Sequence, residues 1–326
     1  MTGPALLIGH RGAPGHRPEH TVSSYRLAFA SGVDAIEPDV VVSRDGVLLV
    51  RHENEISGTT DVAARPGFAD RRTRKTVDGE ALEGWFAEDF TWAELATLRA
   101  RERVPRLRPA SAAFDGEEPI LRLRDVLTLV DAESRRHDRA FEVVIELKHV
   151  DFLARQGHDL VALLLAELAA CGWADRPERL VIECFELAPL RRLRADGWAG
   201  RLVFLMEHAG GPADIAEGTG EDYAWFRSDA GLDELAGLGV HGISLDKLDI
   251  LADPDPETGI VARAHARGLA VFTWTLRPEN HFLDPRFRGA GGEDEWGDWR
   301  GEWRLIRDSG VDGVFVDHPE LWRRPA

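Results

Sequence analysis

Three features of this 326-residue sequence predict an α/β fold, a TIM (β/α)8 barrel with a small subdomain inserted after its second strand. Apolar runs of strand length alternate with helical patterns eight times over, which is the order of a parallel barrel. A helix-stopping Gly, an apolar stretch and a terminal Asp recur at residues 32–39, 239–246 and 310–317. An open doubly wound sheet would also alternate, but no Gly-x-Gly-x-x-Gly follows the first strand.

Residues 5–8 are too short an apolar run for a helix and end in Gly9-His10-Arg11-Gly12, so the His and Arg sit where a strand gives way to a loop. Thr21 is placed as the N-cap of a helix over 21–31, which Gly32 stops. The second strand carries Glu37 and Asp39, and period-2 geometry sends both side chains to one face. Asp45-Gly46 then turns the chain, 47–50 run back as a hairpin arm, and His52 returns to the carboxylates. Residues 53–119 exceed what a barrel connection needs. They hold a helical piece at 91–101 and turn residues Gly67, Gly79, Pro105 and Pro109, hence the inserted subdomain within one catalytic domain of 1–326.

Strands follow at 143–147, 180–185, 202–206, 239–246, 270–274 and 310–317. Helices are expected at 123–137, 152–171, 187–196, 229–238, 257–267 and 301–308. Two further segments, 206–228 and 277–300, are long, Gly-rich and acidic. Like 53–119 they follow strands, so all three should overhang the face where the C-terminal strand ends gather and chemistry sits.

With 44% hydrophobic and 30% charged residues the chain has the composition of a soluble globular protein. No run approaches the roughly 18 apolar residues of a membrane span, and the start MTGPALLI lacks the features of a signal peptide. The expected location is cytoplasmic as written, or periplasmic or secreted if this is a processed chain. Cys171 and Cys184 give no disulfide framework. A formal charge of −17 argues against nucleic acid or an anionic membrane as a stable partner, so an anionic substrate needs a local positive site. Oligomeric state leaves no mark in the sequence.

Glu146 and Lys148 are two apart on a strand and should face the mouth with Glu37 and Asp39. Glu37, Asp39 and Glu146 without a cysteine make a hard, all-oxygen metal site suited to Ca2+ or Mg2+. Arg11 and Lys148 add fixed positive charge, which points to a phosphate. Two imidazoles, His10 and His52, favour a diester over a monoester, since one can take a proton from the attacking hydroxyl while the other protonates the departing alkoxide.

His10-Arg11-Gly12, Pro18-Glu19-His20-Thr21, Glu37-Pro38-Asp39, Asp45-Gly46, His52, Ile145-Glu146-Leu147-Lys148, Trp274-Thr275 and the 310–319 stretch, in this order, resemble the glycerophosphodiester phosphodiesterase family. The stretch 84–91 is similar to its long, periplasmic-type members. The resemblance implies a TIM barrel that hydrolyses glycerophosphodiesters, with a divalent cation, to an alcohol and sn-glycerol 3-phosphate. It matches His10 and His52 to the acid/base pair, Glu37, Asp39 and Glu146 to metal ligands, Arg11 and Lys148 to phosphate contacts, and Phe185 and Trp274 to apolar pocket walls. His20 stands where the family usually has Asn, and Cys184 where it often has Ser. Competing expectations are a lysophospholipase D-type phosphodiesterase and a non-catalytic phosphodiester-binding barrel. Trp296, Trp299 and Trp303 are also candidates to meet a choline head by cation–π contact.

Overall fold

The structure, a computed structural model, describes residues 4–215 and 218–322. Its strands are β1 (Leu6–His10), β2 (Ala35–Glu37), β3 (Asp39–Val42), β4 (Leu48–Val50), β5 (Thr73–Val77), β6 (Glu80–Gly84), β7 (Glu142–Leu147), β8 (Leu180–Cys184), β9 (Arg201–Met206), β10 (Gly242–Asp246), β11 (Ala270–Leu276) and β12 (Gly313–Val316). Parallel pairing runs from β1 through β2, β7, β8, β9, β10 and β11 to β12, and β12 pairs back onto β1. The sheet therefore closes into the eight-position parallel barrel expected from the alternation.

The second barrel position is made of two pieces. Proline has no N–H to give a ladder, and Pro38 separates β2 from β3 while both keep one register on β7, with Ala35 opposite Glu142 and Asp39 opposite Glu146. Up to Glu37 the chain pairs with β1; beyond Pro38 it pairs instead with β4, antiparallel, as the predicted hairpin.

Alternation along the strands layers the interior. Ile8, Ala35, Val144, Val181, Val203, Phe272 and Phe315 form one apolar plug inside the barrel. Two residues further along β1, β2, β7, β8, β11 and past β12 stand His10, Glu37, Glu146, Glu183, Trp274 and Asp317, the next layer towards the C-terminal mouth. The opposite strand faces pack on the surrounding helices in one continuous core.

Helix boundaries differ from the sequence expectation where caps intervene. The helix expected over 152–171 is two, Val150–Arg155 and Leu160–Ala170, because Gly157 takes φ +92° and Asp159 caps the second through Ala162 N–H. The piece expected at 91–101 shrinks to Trp92–Leu95, since Arg99 and Ala100 pair with Pro119 and Thr60 instead. In segment 53–119, β5 and β6 form an antiparallel pair. Its Ile56, Val62, Phe90, Leu95 and Leu98 bury against Val41 and Leu49 of the hairpin, so this small core is shared with the barrel. No helix among the described residues is long and apolar enough to cross a membrane.

Candidate active site

At the end of β1 the chain turns sharply. Arg11 adopts φ +55° and Gly12 φ +99°, which lets the following helix start directly beneath the loop. The turn aims the Arg11 backbone N–H at Glu37 Oε2 (2.8 Å) and sets its guanidinium against Glu19 (3.2 Å) and Asp39 (3.1 Å). Burial alone would lower the Arg11 pKa, but Glu19 and Asp39 hold it above its ordinary value.

Asp39 lies at the centre of a cationic cage. Arg11 is on Oδ2, the Lys148 ammonium is 3.3 Å from Oδ1, and His20 Nε2 donates to Oδ2 at 2.9 Å while Tyr25 donates its hydroxyl to His20 Nδ1 at 2.8 Å. Burial favours the protonated acid, yet Lys148, His52 and Arg11 hold the Asp39 carboxyl well below its usual range. His20 is wholly buried and takes φ +58°, a left-handed conformation in which Asn is also at home. It orients Asp39 from behind and lines neither mouth cavity.

Glu37 and Glu146 lean towards a third carboxylate that the sequence reading passed over. Ligand oxygens of Glu37, Glu146 and Glu183 lie within 4.8 Å of one another. The sequence expectation names Glu37, Asp39 and Glu146; the oxygens within 4.8 Å of one another are those of Glu37, Glu146 and Glu183, while Asp39, beside Glu146, also meets the Arg11 and Lys148 cations. Burial, and then Asp39, pushes the Glu37 carboxyl well up; burial, and then Glu146, does the same for Glu183. Burial likewise raises Glu146 to about 8 against the pull of Lys148, whose ammonium bonds it at 2.6 Å. Glu37 Oε1 and Glu183 Oε2 are buried without any hydrogen-bond partner, while Asp39 Oδ1 meets the Lys148 ammonium at 3.3 Å. Unsatisfied anionic oxygens in a dry site are costly, and an oxygen-preferring divalent cation is what such a set fits. The neighbouring sulfur is engaged, Cys184 Sγ donating to Leu147 O, and the Nδ1 atoms of His10 and His52 are taken by Asp317 and Glu53.

His10 Nδ1 donates to Asp317 Oδ1 at 2.6 Å, which leaves Nε2 as its free nitrogen. Asp317 also accepts from Arg108 and Arg277, each at 2.7 Å on Oδ2. Although burial opposes it, Arg277 and Arg108 keep the Asp317 carboxyl ionised far below its ordinary value. Burial first and Arg11 second lower His10 to about 4, and burial, Arg11 and Lys148 lower His52 to about 3. Both imidazoles are thus neutral at pH 7. Glu53 holds His52 and is itself gripped by Arg103, which also forks onto Glu19.

Two cavities meet here. The larger, about 670 Å³, is lined by Glu37, Glu146, Lys148, Glu183, Phe185 and Trp274, among others; the smaller, about 220 Å³, by Glu19, Glu102, Arg103, Arg108, Phe282 and Asp317. His10, Arg11, His52 and Arg277 line both. Phe185 and Trp274 meet edge to face at 5.6 Å, as walls of the larger lobe. The three long segments all reach the mouth, through Asp78 and Arg103, Glu207 and Tyr223, and Arg277 and Phe282. Trp296, Trp299 and Trp303 do not: Trp299 and Trp303 are buried in the helix Trp299–Asp308, and exposed Trp296 packs on His318. The choline expectation for that cluster has no support in this arrangement.

Carboxylates, fixed cations and two imidazoles at the C-terminal mouth of a closed parallel barrel define a hydrolase site built to hold an anion beside a cation. The sequence model of the glycerophosphoryl diester phosphodiesterase family matches residues 10–321, and the chain belongs to this enzyme family. A glycerophosphodiester phosphodiesterase of Arabidopsis thaliana is 31% identical over 332 residues, 95% of this chain and 82% of that protein. The match covers only about half of two bacterial relatives, from Treponema pallidum and Haemophilus influenzae (53% and 54%). A crystal structure assigned as a glycerophosphoryl diester phosphodiesterase from Silicibacter pomeroyi superposes with a TM-score of 0.68 at 26% identity, over 98% of this chain and 92% of that one. A phosphodiesterase of Oleispira antarctica, solved with the product sn-glycerol-3-phosphate, shares the fold at 18% identity with a TM-score of 0.63, over 98% and 96%.

Proposed function

We propose that this chain hydrolyses glycerophosphodiesters to an alcohol and sn-glycerol 3-phosphate, with His10 and His52 as the acid/base pair. The observation that carries this reading is that both imidazoles and Arg11 line the junction of the two lobes, where a diester spanning them would put its phosphorus. One imidazole takes a proton from the attacking group, either water or the substrate's own neighbouring hydroxyl by way of a cyclic phosphate that water then opens; the other gives a proton to the alcohol oxygen as its bond to phosphorus breaks. Asp317 fixes the tautomer and orientation of His10, and Glu53 those of His52. Both imidazoles are held neutral in the free protein by burial and adjacent cations, and the negative charge of a bound phosphate favours protonation of one of them. Arg11 and Lys148 place positive charge where phosphoryl oxygens would lie.

Glu37, Glu146 and Glu183, with Asp39 Oδ1 nearby, would hold a divalent cation, Ca2+ or Mg2+. When bound, such an ion supplies charge stabilisation to the phosphoryl group. Segment 53–119 is read as an inserted subdomain that roofs the smaller lobe through Glu102, Arg103 and Arg108.

The test is release of sn-glycerol 3-phosphate from glycerophosphocholine by the purified protein, before and after EDTA and with Ca2+ or Mg2+ returned. Release that EDTA abolishes and one cation restores is the expected result. Undiminished release after exhaustive chelation would remove the cation from the reading, and no release of sn-glycerol 3-phosphate from any glycerophosphodiester would overturn it.

A further inference from the structure

We propose that the smaller lobe is a leaving-group site for a neutral polyol, so that the preferred diesters carry inositol or glycerol rather than choline. The proposal rests on the phosphodiesterase reading and adds the class of alcohol. A phosphodiester with its phosphorus at the His10, Arg11, His52 and Arg277 junction sends one end into each lobe, and the carboxylate cluster occupies only the larger one.

The smaller lobe is lined by charges that are already compensated. Arg103 forks between Glu19 and Glu53, and Arg108 between Glu279 and Asp317, with bonds of 2.7–2.8 Å. Buried Glu102 accepts from Ser111 Oγ at 2.5 Å and Val104 N–H at 2.9 Å. Such a wall offers donors and acceptors side by side with little net charge. A hydroxyl both donates and accepts, so a ring or chain of hydroxyls fits it, whereas a quaternary ammonium can do neither.

Cation–π capture of a choline head is also closed off. Phe282 already carries two guanidinium groups on its ring, Arg277 at 4.5 Å and Arg108 at 5.6 Å. Arg277 spends its Nε on Asp317 and makes no other hydrogen bond among the described residues, which leaves its two terminal nitrogens as donors for a bound alcohol.

The deciding experiment is kcat/KM of the cation-supplied enzyme on glycerophosphoinositol and on glycerophosphocholine. The inositol ester is expected to be favoured by about tenfold or more. Val104→Trp, which narrows the lobe while leaving His10, His52 and the carboxylate cluster of the larger lobe unsubstituted, should bring that ratio towards one by raising KM for the inositol ester. Free myo-inositol should inhibit the wild-type enzyme competitively at concentrations where choline does not, a readout that holds if the variant fails to fold. Equal or better turnover of the choline ester, or a ratio unchanged in a folded, active Val104→Trp enzyme, would overturn the polyol site and leave the phosphodiesterase reading standing. Absence of turnover with either ester would overturn both.

Discussion

Glu37 and Asp39 are two residues apart on one face, yet the protein drives their proton affinities in opposite directions. Asp39 is ringed by Arg11, Lys148 and His20, while Glu37 faces Glu146 and Glu183. Alternation alone could place both carboxylates at the mouth, but not say which would meet cations brought from β1 and β7. Glu183 was legible by the same rule: it sits opposite Glu146 on β8, and Val181 below it repeats Val144. It was passed over because it lies in an apolar run that reads as core. Asp317 was visible as a strand-ending Asp, but its role depends on Arg108 and Arg277, which come from distant loops. Glu183→Gln should weaken Ca2+ binding at least about tenfold by calorimetry, a readout independent of turnover; unchanged affinity would exclude Glu183 from the cation site. His10→Ala or His52→Ala should cost about 10²–10⁴ in kcat with circular dichroism unchanged. Asp317→Asn should lower kcat on the order of 10²-fold with KM little altered, because His10 loses the acceptor that fixes its tautomer.

Strands, hairpin and most helices followed from periodicity, capping residues and Gly stops, because these are local properties of the chain. Segment 53–119 resisted, since its order comes from bridges such as Thr60 with Ala100 and from an apolar cluster shared with β3 and β4. A tight constraint between elements lies where the loop after β1 meets the helix Val22–Ala30. A Cβ on Gly12 would fall 2.4 Å from Ser24 Oγ and 2.7 Å from the Ser24 carbonyl carbon, at a φ of +99°. Gly12→Ala should therefore destabilise the fold by about 2 kcal/mol or more in urea unfolding. A variant as stable as the parent would show that the helix can draw back from the loop without cost.

For the whole molecule the carboxylate cluster sets a pH dependence. Glu146 is raised to about 8, and Glu37 and Glu183 are raised above their ordinary 4.5. A carboxyl that holds its proton more tightly folded than unfolded adds stability that is complete below the unfolded value and fades as pH climbs to the folded one. Asp39 and Asp317, held low, act in the opposite sense, but only below the ordinary carboxylate range. His10 and His52, whose pKa values burial lowers, also act in the opposite sense, but only below the ordinary histidine range, so chelated protein should lose thermal stability between about pH 7 and 8. Added Ca2+, which takes the place of those protons, should raise Tm more at pH 8 than at pH 6, as differential scanning calorimetry would show; a Tm gain independent of pH would place the ion elsewhere.

The cage around Asp39 also bears on how the enzyme responds to ionic strength. A chain of net charge −17 repels an anionic diester from afar, whereas Arg11 and Lys148, which receive it, are buried at the mouth. Mobile ions weaken the first force far more than the second, as the screening length falls from about 30 Å to about 10 Å between 0.01 and 0.1 M salt. Over that range KM for a glycerophosphodiester should hold or fall, the reverse of what an exposed basic patch would give. Salt would then act here as an aid to capture, and tolerance of brine would come from where the charges are kept rather than from how many there are.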